Sequence, residues 1–132
     1  MTDRELVNQA FAMRKFSYVP YSKFAVGAAL LCADGTVFTG CNVENAAYGS
    51  TICAERTALL KAVSEGHRTD WTAIAIAGEG EDYCWPCGSC RQMLYEFSPN
   101  LRILVARRDG AFQTVCLSDL LPHGFGLQSL ER

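Results

Sequence analysis

Features that mark several classes of protein are missing from this sequence. It has no basic excess, because twelve lysines and arginines stand against fourteen aspartates and glutamates, a net charge of −2. Since nucleic-acid-binding surfaces are usually basic, no polynucleotide partner is expected. No apolar run approaches the roughly eighteen residues of a membrane span, and no basic-then-apolar leader follows the first residue. We therefore expect a cytoplasmic protein with no membrane partner.

Cysteine, by contrast, is abundant, with seven residues in a chain of 132. Without a secretory leader, such cysteines are expected to be metal ligands and buried thiols rather than disulfides. The odd number agrees with this, because complete pairing would leave one over. The length and the 49% hydrophobic content predict a single domain, residues 1–132, with one core.

The apolar periodicity predicts the order helix, two strands, helix, strand, helix, two strands. Thr2 and Glu5 form a capping box for the first helix, and Pro20 is expected to end it. Strands are predicted at 24–32, 37–43, 71–77, 103–106 and 112–116, and further helices at 53–65, 86–97 and 117–121. Two hairpins and two helical crossovers imply an α/β fold, a mixed sheet with helices on its faces.

Cysteines with metal-ligand spacing begin two of the predicted helices. Cys53 begins one, and Cys87 and Cys90 lie three apart in the first turn of another. A helix N-terminus favours the thiolate, and sulfur ligands favour zinc. A structural zinc has four protein ligands, whereas a catalytic zinc keeps one position open. We therefore predict one catalytic Zn²⁺ per chain, held by these three cysteines.

A structural site remains an alternative, because Cys84 and Cys87 form a second C-x-x-C that overlaps the first. Four ligands, Cys84 included, would give a closed zinc site in a scaffold without catalysis. The rigid Pro86 favours Cys87 and Cys90 as the helical pair and leaves Cys84 as a loop thiol.

The remaining potential ligands are assigned no metal role. Three cysteines fall in predicted strands and are expected to be buried small apolar residues: Cys32, Cys41 and Cys116. His67 and His123 adjoin turns rather than the ligand cysteines.

Two charged residues beside Cys53 complete the predicted site. Three thiolates on Zn²⁺ leave a net charge of −1, which the helix N-termini and Arg56, one turn from Cys53, would offset. If the metal lies ahead of the helix end, Glu55 reaches the same pocket and serves as a proton shuttle. The alternatives are an ordinary surface arginine and a glutamate favoured only by the helix dipole.

Three motifs resemble the small cytidine deaminases that act on free nucleosides: NVENA at 42–46, CAER at 53–56 and PCGSC at 86–90. The resemblance extends from VPYSKF at 19–24 to LLP at 120–122. It implies a three-layer α/β/α sandwich with a five-stranded mixed sheet. It also implies a homotetramer with active sites shared between subunits, and a place in pyrimidine salvage.

The resemblance further implies the hydrolytic deamination of cytidine and deoxycytidine to uridine and deoxyuridine, with release of ammonia. In that family a zinc-bound hydroxide attacks C4 of cytosine. By this resemblance Cys53, Cys87 and Cys90 hold the zinc. Glu55 protonates the ring nitrogen N3 and then carries a second proton to the departing ammonia.

Contacts to the nucleoside are also implied by the resemblance. Phe24 would stack on the pyrimidine, although its place at the start of an apolar run by itself predicts a core residue. The backbone N–H of Ala54 would contact the base carbonyl. Asn42 and Glu44 would bind the ribose hydroxyls, and their alternation along a predicted strand end places them on one face.

The resemblance also implies that two aromatic residues, Tyr48 and Phe125, serve the active site of a neighbouring subunit, although Tyr48 in its Gly-containing loop could equally be a surface residue. Leu127 follows the Gly-Phe-Gly stretch of the tail at a position where relatives often have proline.

Other deaminase substrates are the remaining enzymatic alternatives. Drug-modifying relatives that act on aminonucleosides have the zinc signature but not the pair Asn42 and Glu44. A polynucleotide base is disfavoured by the acidic balance and the lack of an aromatic and basic groove.

Overall fold

A five-stranded mixed sheet organises the computed structural model, which describes residues 1–130. Its strands are β1 (Gly27–Cys32), β2 (Val37–Cys41), β3 (Trp71–Ala77), β4 (Arg102–Ala106) and β5 (Phe112–Cys116). The α-helices are α1 (Asp3–Met13), α2 (Ala54–Ser64), α3 (Gly88–Phe97), α4 (Leu117–Leu120) and α5 (Leu127–Leu130). The last two residues of the predicted domain 1–132 lie outside the described residues.

The strand order across the sheet is β2-β1-β3-β4-β5. Only the β3–β4 pair is parallel among the described strands, and α3 makes the crossover between them. Both predicted hairpin turns are present, with Gly35 and Gly110 in left-handed backbone at φ +91° and +92°. The predicted α/β class with a five-stranded mixed sheet is confirmed.

Helices cover both faces of this sheet and form a three-layer structure. On one face α1 buries Leu6, Val7 and Ala10 against alanines of β1 and β3. On the other face α2 and α3 pack Leu59 and Leu94 against larger aliphatic residues such as Ile74. None of the helices α1 to α5 is long and apolar enough to span a membrane.

The first strand begins later than predicted. β1 starts at Gly27 rather than Phe24, because side chains bind the peptide groups just before it. The backbone N–H of Ala25 donates to Glu79 Oε2 at 3.0 Å, and that of Val26 donates to Asn42 Oδ1 at 2.9 Å. The N–H groups of Ala25 and Val26 are therefore not available to donate to a neighbouring strand.

Three other predicted ends were also wrong. α1 ends at Met13, before a 3₁₀ turn and well before Pro20, because extended backbone at Tyr18 pairs with Val43. β2 ends at Cys41 instead of residue 43, since Val43 pairs only through isolated bridges. α3 begins at Gly88, with Cys87 as an extended N-cap, so Pro86 precedes the first turn.

Candidate active site

Three thiols from two helix N-termini meet at one point. Cys53 occupies the N-cap position of α2, and Cys87 occupies that of α3. Neither thiol accepts a hydrogen bond from a backbone N–H of its own helix. Cys90 lies in the first turn of α3. The sulfur of Cys87 is 3.7 Å from that of Cys53 and 3.4 Å from that of Cys90. The predicted ligand cysteines are therefore adjacent in space.

The spacing of these sulfurs fits a tetrahedral metal ion. Zinc–sulfur bonds of about 2.3 Å place two thiolates of a tetrahedral site roughly 3.8 Å apart. All three sulfurs lie within 4.8 Å of one another. Cys84 is not a member of this group, and burial raises the pKa of its thiol to about 12. The spacing of the three cysteines thus fits a zinc ion with three protein ligands.

Neighbouring side chains favour a thiolate at Cys53. The neighbouring thiol of Cys90, followed by the guanidinium of Arg56, lowers the pKa of Cys53 to about 5 although burial opposes this. The same contact with Cys53 raises the pKa of Cys90. The guanidinium of Arg56 thus favours the thiolate form of Cys53.

Arg56 lies beside the cluster rather than on the open surface. Its Nη2 donates to the carbonyl of Thr51 at 3.1 Å and to the sulfur of Cys53 at 3.6 Å. Its Nε is buried without a hydrogen-bond partner among the described residues. The guanidinium is thus held by the loop that leads into α2, in a position to offset thiolate charge.

Glu55 is the one charged side chain buried in the core of the described residues, with 4% of its surface exposed. It lies in the first turn of α2 and lines the same cavity as Cys53 and Cys87. Burial raises the pKa of its carboxyl to about 7. A carboxyl group that is half protonated near neutral pH can both accept and donate a proton.

Polar contacts fix both helix starts that carry the cysteines. Thr57 Oγ1 donates to the carbonyl of Cys41 at 3.1 Å and joins the first turn of α2 to the end of β2. Arg91 Nε donates to the carbonyl of Pro86 at 2.8 Å, and its Nη1 donates to that of Leu120 at 2.9 Å. These hydrogen bonds hold in place the two helix starts that carry the three cysteines.

A cavity of about 250 Å³ opens in front of the cysteines and Glu55. Phe24 lines it and is 40% exposed, so it is not a core residue. Its ring lies so close to Gly78 that a side chain there would approach it to 3.1 Å. Ala54 also lines the cavity, and as the first residue of α2 it has an N–H with no acceptor within the helix.

Asn42 and Glu44 lie in adjoining cavities rather than in one. Asn42 lines the cysteine cavity, whereas Glu44 lines a neighbouring cavity of about 410 Å³, and Thr51 lines both. The amide of Asn42 donates to the carbonyl of Phe24 at 2.9 Å and also accepts from Val26. Glu44 Oε1 accepts from two successive N–H groups, at Tyr21 and Ser22.

Tyr48 and Phe125 do not line the cysteine cavity of their own chain. Tyr48 is 75% exposed at the edge of the Glu44 cavity, with its ring edge-on to Tyr21 at 5.7 Å between centroids. Phe125 is 57% exposed, and its carbonyl accepts from Gln92 Nε2 at 2.7 Å. Both rings are free to contact another molecule.

Known proteins share both the sequence and this architecture. The family model described as the cytidine and deoxycytidylate deaminase zinc-binding region matches residues 1–106. This chain belongs to that family. A cytidine deaminase from Halalkalibacterium halodurans is 46% identical over 130 residues, covering 97% of this chain and 98% of the relative. One from Mycobacterium tuberculosis is 44% identical over 116 residues, covering 88% and 84%.

Solved structures of cytidine deaminases superpose closely on this member of the family. The crystal structure of the Burkholderia pseudomallei cytidine deaminase is 46% identical, has a TM-score of 0.92, and the match covers 95% of this chain and 100% of that one. The crystal structure of the Mycobacterium tuberculosis enzyme is 41% identical with a TM-score of 0.81, over 96% of this chain and 100% of that one.

Some residues around the site of this cytidine deaminase family member were not predicted. Thr51 and Trp85 line the cysteine cavity, and Arg91 holds the backbone before Cys87. Thr51 precedes Cys53 by two residues, and Trp85 stands inside the overlapping C-x-x-C, so their closeness to ligand motifs is a signal in the sequence. Arg91 carries no such signal, because its partner Leu120 is remote along the chain.

A second group of potential ligands is present elsewhere in the structure. Cys32, His67 and Asp70 each place one donor atom within 4.8 Å of the others. His67 was expected to have no metal role, and the structure places its imidazole beside the thiol of Cys32 and the carboxylate of Asp70. Cys32 is buried as predicted, but Cys41 and Cys116 are only half-buried.

Proposed function

We propose that this protein hydrolytically deaminates cytidine and deoxycytidine to uridine and deoxyuridine, with release of ammonia. One observation carries the proposal: a buried carboxyl group, Glu55, lines a small cavity together with Cys53 and Cys87, two of the three clustered thiols. Membership of the deaminase family supports the same reaction. The described fold acts as a single catalytic domain in pyrimidine salvage.

Cys53, Cys87 and Cys90 would hold one zinc ion. When bound, zinc supplies a Lewis acid that makes a water molecule nucleophilic at neutral pH. Two helix N-termini and the guanidinium of Arg56 offset the surplus negative charge of three thiolates. This compensation is required because the ion and its ligands together have a charge of −1.

Glu55 moves the protons of the reaction. It accepts a proton from the attacking water and donates it to N3 of the pyrimidine, as the water oxygen adds to C4. It then transfers the second water proton to the amino group, which leaves as ammonia when the C4–N bond breaks. A pKa of about 7 suits both directions of transfer.

The cavity walls would bind the nucleoside. Phe24 stacks on the pyrimidine ring, and the free N–H of Ala54 donates to the base carbonyl. Asn42 and Glu44 bind the ribose hydroxyls, with Thr51 between their two cavities. Asn42 and Glu44 each use a side-chain oxygen to accept a hydrogen bond from the backbone. The acceptor capacity that remains on these side chains would bind the ribose hydroxyls.

The working form would be a homotetramer in which subunits share active sites. The exposure of Tyr48 and Phe125 supports a role for both rings in the site of a neighbouring subunit. A reducing, cytoplasmic location agrees with the absence of disulfides among the described residues, where all seven cysteines are free.

The decisive experiment compares wild type with Glu55→Gln, assayed for ammonia release from cytidine and deoxycytidine. The variant is expected to lose about 10²- to 10⁴-fold in kcat while it retains zinc, because only the proton shuttle is removed. Glu96→Gln, at an exposed glutamate of α3, is the matched control and should retain full activity. Undiminished activity of Glu55→Gln at full zinc occupancy would overturn the assignment.

A substrate panel separates this function from its alternatives. Aminonucleoside drugs, single-stranded DNA and free cytosine are tested beside cytidine. Selective turnover of the two nucleosides is expected, because Glu44 lines the cavity next to the cysteine cavity and would bind the sugar there. Faster turnover of a polynucleotide would contradict the proposal.

A further inference from the structure

A second cluster of potential metal ligands, Cys32, His67 and Asp70, lies at the opposite end of α2 from the proposed active site. Cys53 is the residue just before the N-terminus of α2, whereas His67 lies just beyond the C-terminus of the same helix. Eleven helical residues separate the two ends, and at 1.5 Å per residue this is about 16 Å. Any ion bound beside His67 is therefore separate from the three-cysteine cluster.

Two connections converge at this end of the fold. Cys32 is the last residue of β1, and Asp70 directly precedes β3. The backbone N–H of Ala33 donates to the carbonyl of Asp70 at 2.7 Å, so the β1–β2 hairpin and the α2–β3 connection are joined here. The imidazole of His67 packs against Phe38, with ring centroids 5.2 Å apart.

The donor atoms in this place are those of a zinc site. One thiol, one imidazole and one carboxylate lie within 4.8 Å of one another. His67 Nδ1 is 2.8 Å from Asp70 Oδ2, and His67 Nε2 is 4.0 Å from Asp34 Oδ2. In a tetrahedral zinc site, nitrogen and oxygen ligands stand roughly 3.3 Å apart, so the His67–Asp70 pair needs to open only slightly.

Carboxylates outnumber basic groups at the cluster, where His67 is the one basic side chain that pairs with Asp34 and Asp70 among the described residues. The second carboxylate oxygen of Asp70 is buried and has no hydrogen-bond partner among the described residues. The carboxylate of Asp34 and the C-terminal end of the α2 dipole add further negative potential. A buried, unpaired acceptor is costly, and a bound cation would satisfy it.

We propose that Cys32, His67 and Asp70 bind a second divalent transition-metal ion of the zinc class. Binding releases the thiol proton of Cys32 to solvent, because a coordinating thiol is deprotonated. The ion joins the hairpin to the connection after α2 and so stabilises the fold. It takes no part in the reaction, and the inference does not depend on the proposed function.

Cobalt titration tests this site in protein brought to one zinc ion per chain, so that the three-cysteine cluster is filled and the second site is empty. Co²⁺ binds more weakly than Zn²⁺ and therefore leaves the three-cysteine zinc in place, which elemental analysis verifies. We expect about one further equivalent of Co²⁺ to bind, with a near-ultraviolet band from thiolate-to-cobalt charge transfer. Thermal unfolding should move to higher temperature in parallel, since the ion binds only the folded state.

Three variants assign the band to these ligands. Cys32→Ala should abolish it, and His67→Gln should weaken Co²⁺ binding by more than about tenfold, since even outer partners of ligands cost 10- to 100-fold. Cys41→Ala, at a half-buried cysteine outside the cluster, is the matched control and should bind as wild type does.

The site would be overturned by the lack of a saturable equivalent with a thiolate band in wild type, or by an unchanged band in His67→Gln. If Cys32→Ala fails to fold, the comparison of wild type with His67→Gln still decides the matter. A band that disappears in Cys41→Ala but persists in Cys32→Ala would also exclude it.

Discussion

Arg56 donates to the sulfur of Cys53 at 3.6 Å while the same nitrogen holds the carbonyl of Thr51 at 3.1 Å. The guanidinium thus connects a proposed zinc ligand to the loop that lines both cavities. The same guanidinium therefore offsets the charge of the thiolates and holds in place the loop that leads into α2.

Arg56→Gln is therefore expected to weaken zinc retention and to lower kcat/KM, each by about 10- to 100-fold. The neutral side chain no longer offsets the thiolate charge of Cys53. Zinc remaining after dialysis against a chelator, and the rate of cytidine deamination, measure the two effects. Arg68→Gln, at an exposed arginine after α2, is the control. Equal zinc retention in both variants would contradict this role.

Cys84→Ser is expected to retain about one zinc per chain in the three-cysteine cluster and nearly full activity, because Cys84 lies outside that cluster. Cys90→Ser serves as the comparison and should lose the metal from that cluster. Elemental analysis and circular dichroism provide the measurements. Loss of that zinc together with unfolding in Cys84→Ser would instead establish the closed structural site that the overlapping C-x-x-C permits.

Glu44→Gln is expected to raise KM for cytidine by about tenfold or more with a small change in kcat, since a hydrogen bond to a charged group contributes about 1.5–3 kcal/mol. The glutamine oxygen can still accept from the N–H groups of Tyr21 and Ser22, so the loop should remain in place. Steady-state kinetics test this, with Glu65→Gln as control. An unchanged KM would remove Glu44 from the ribose site.

Gly40→Ala is expected to destabilise the protein by about 1–3 kcal/mol through overpacking. A Cβ at this position in β2 would overlap the carbonyl oxygen of Ala54 and lie 2.7 Å from the nitrogen of Ala58. Because α2 must move away, activity should fall as well. Urea unfolding measures the loss, and Gly49→Ala, where no atom lies within 4 Å, is the control. Equal stability of the two variants would exclude tight β2–α2 packing.

Local spacing explains why the cysteine cluster was predictable. Cys87 and Cys90 are neighbours on any helix, and the apolar patterns around Cys53 and Pro86 indicated helices that begin there. The motif resemblance then paired segments that are some thirty residues apart. Pro86 favoured a position for Cys84 outside the cluster, but a C-x-x-C does not by itself specify which of two overlapping pairs binds, and only the structure shows that Cys84 is not a member of the group.

Strand ends were less predictable because side chains compete for backbone groups. The apolar run from Phe24 suggested a continuous strand, yet Asn42 and Glu79 bind its first peptide groups. This competition leaves Phe24 beside the cavity rather than in the core. No local pattern around Phe24 contains that information, since both partners lie far along the chain.

The α/β class could be predicted from the sequence because it depends on periodicity. The place of Cys53, Cys87 and Cys90 at helix starts, with Glu55 and Arg56 beside Cys53, could be predicted because it depends on short spacings. The burial of Glu55, the separate cavities of Asn42 and Glu44, and the contact of Cys32 with His67 and Asp70 depend on the folded arrangement. Burial and long-range contact arise when the sheet brings remote segments together, and the physical environment of a side chain is set by those neighbours.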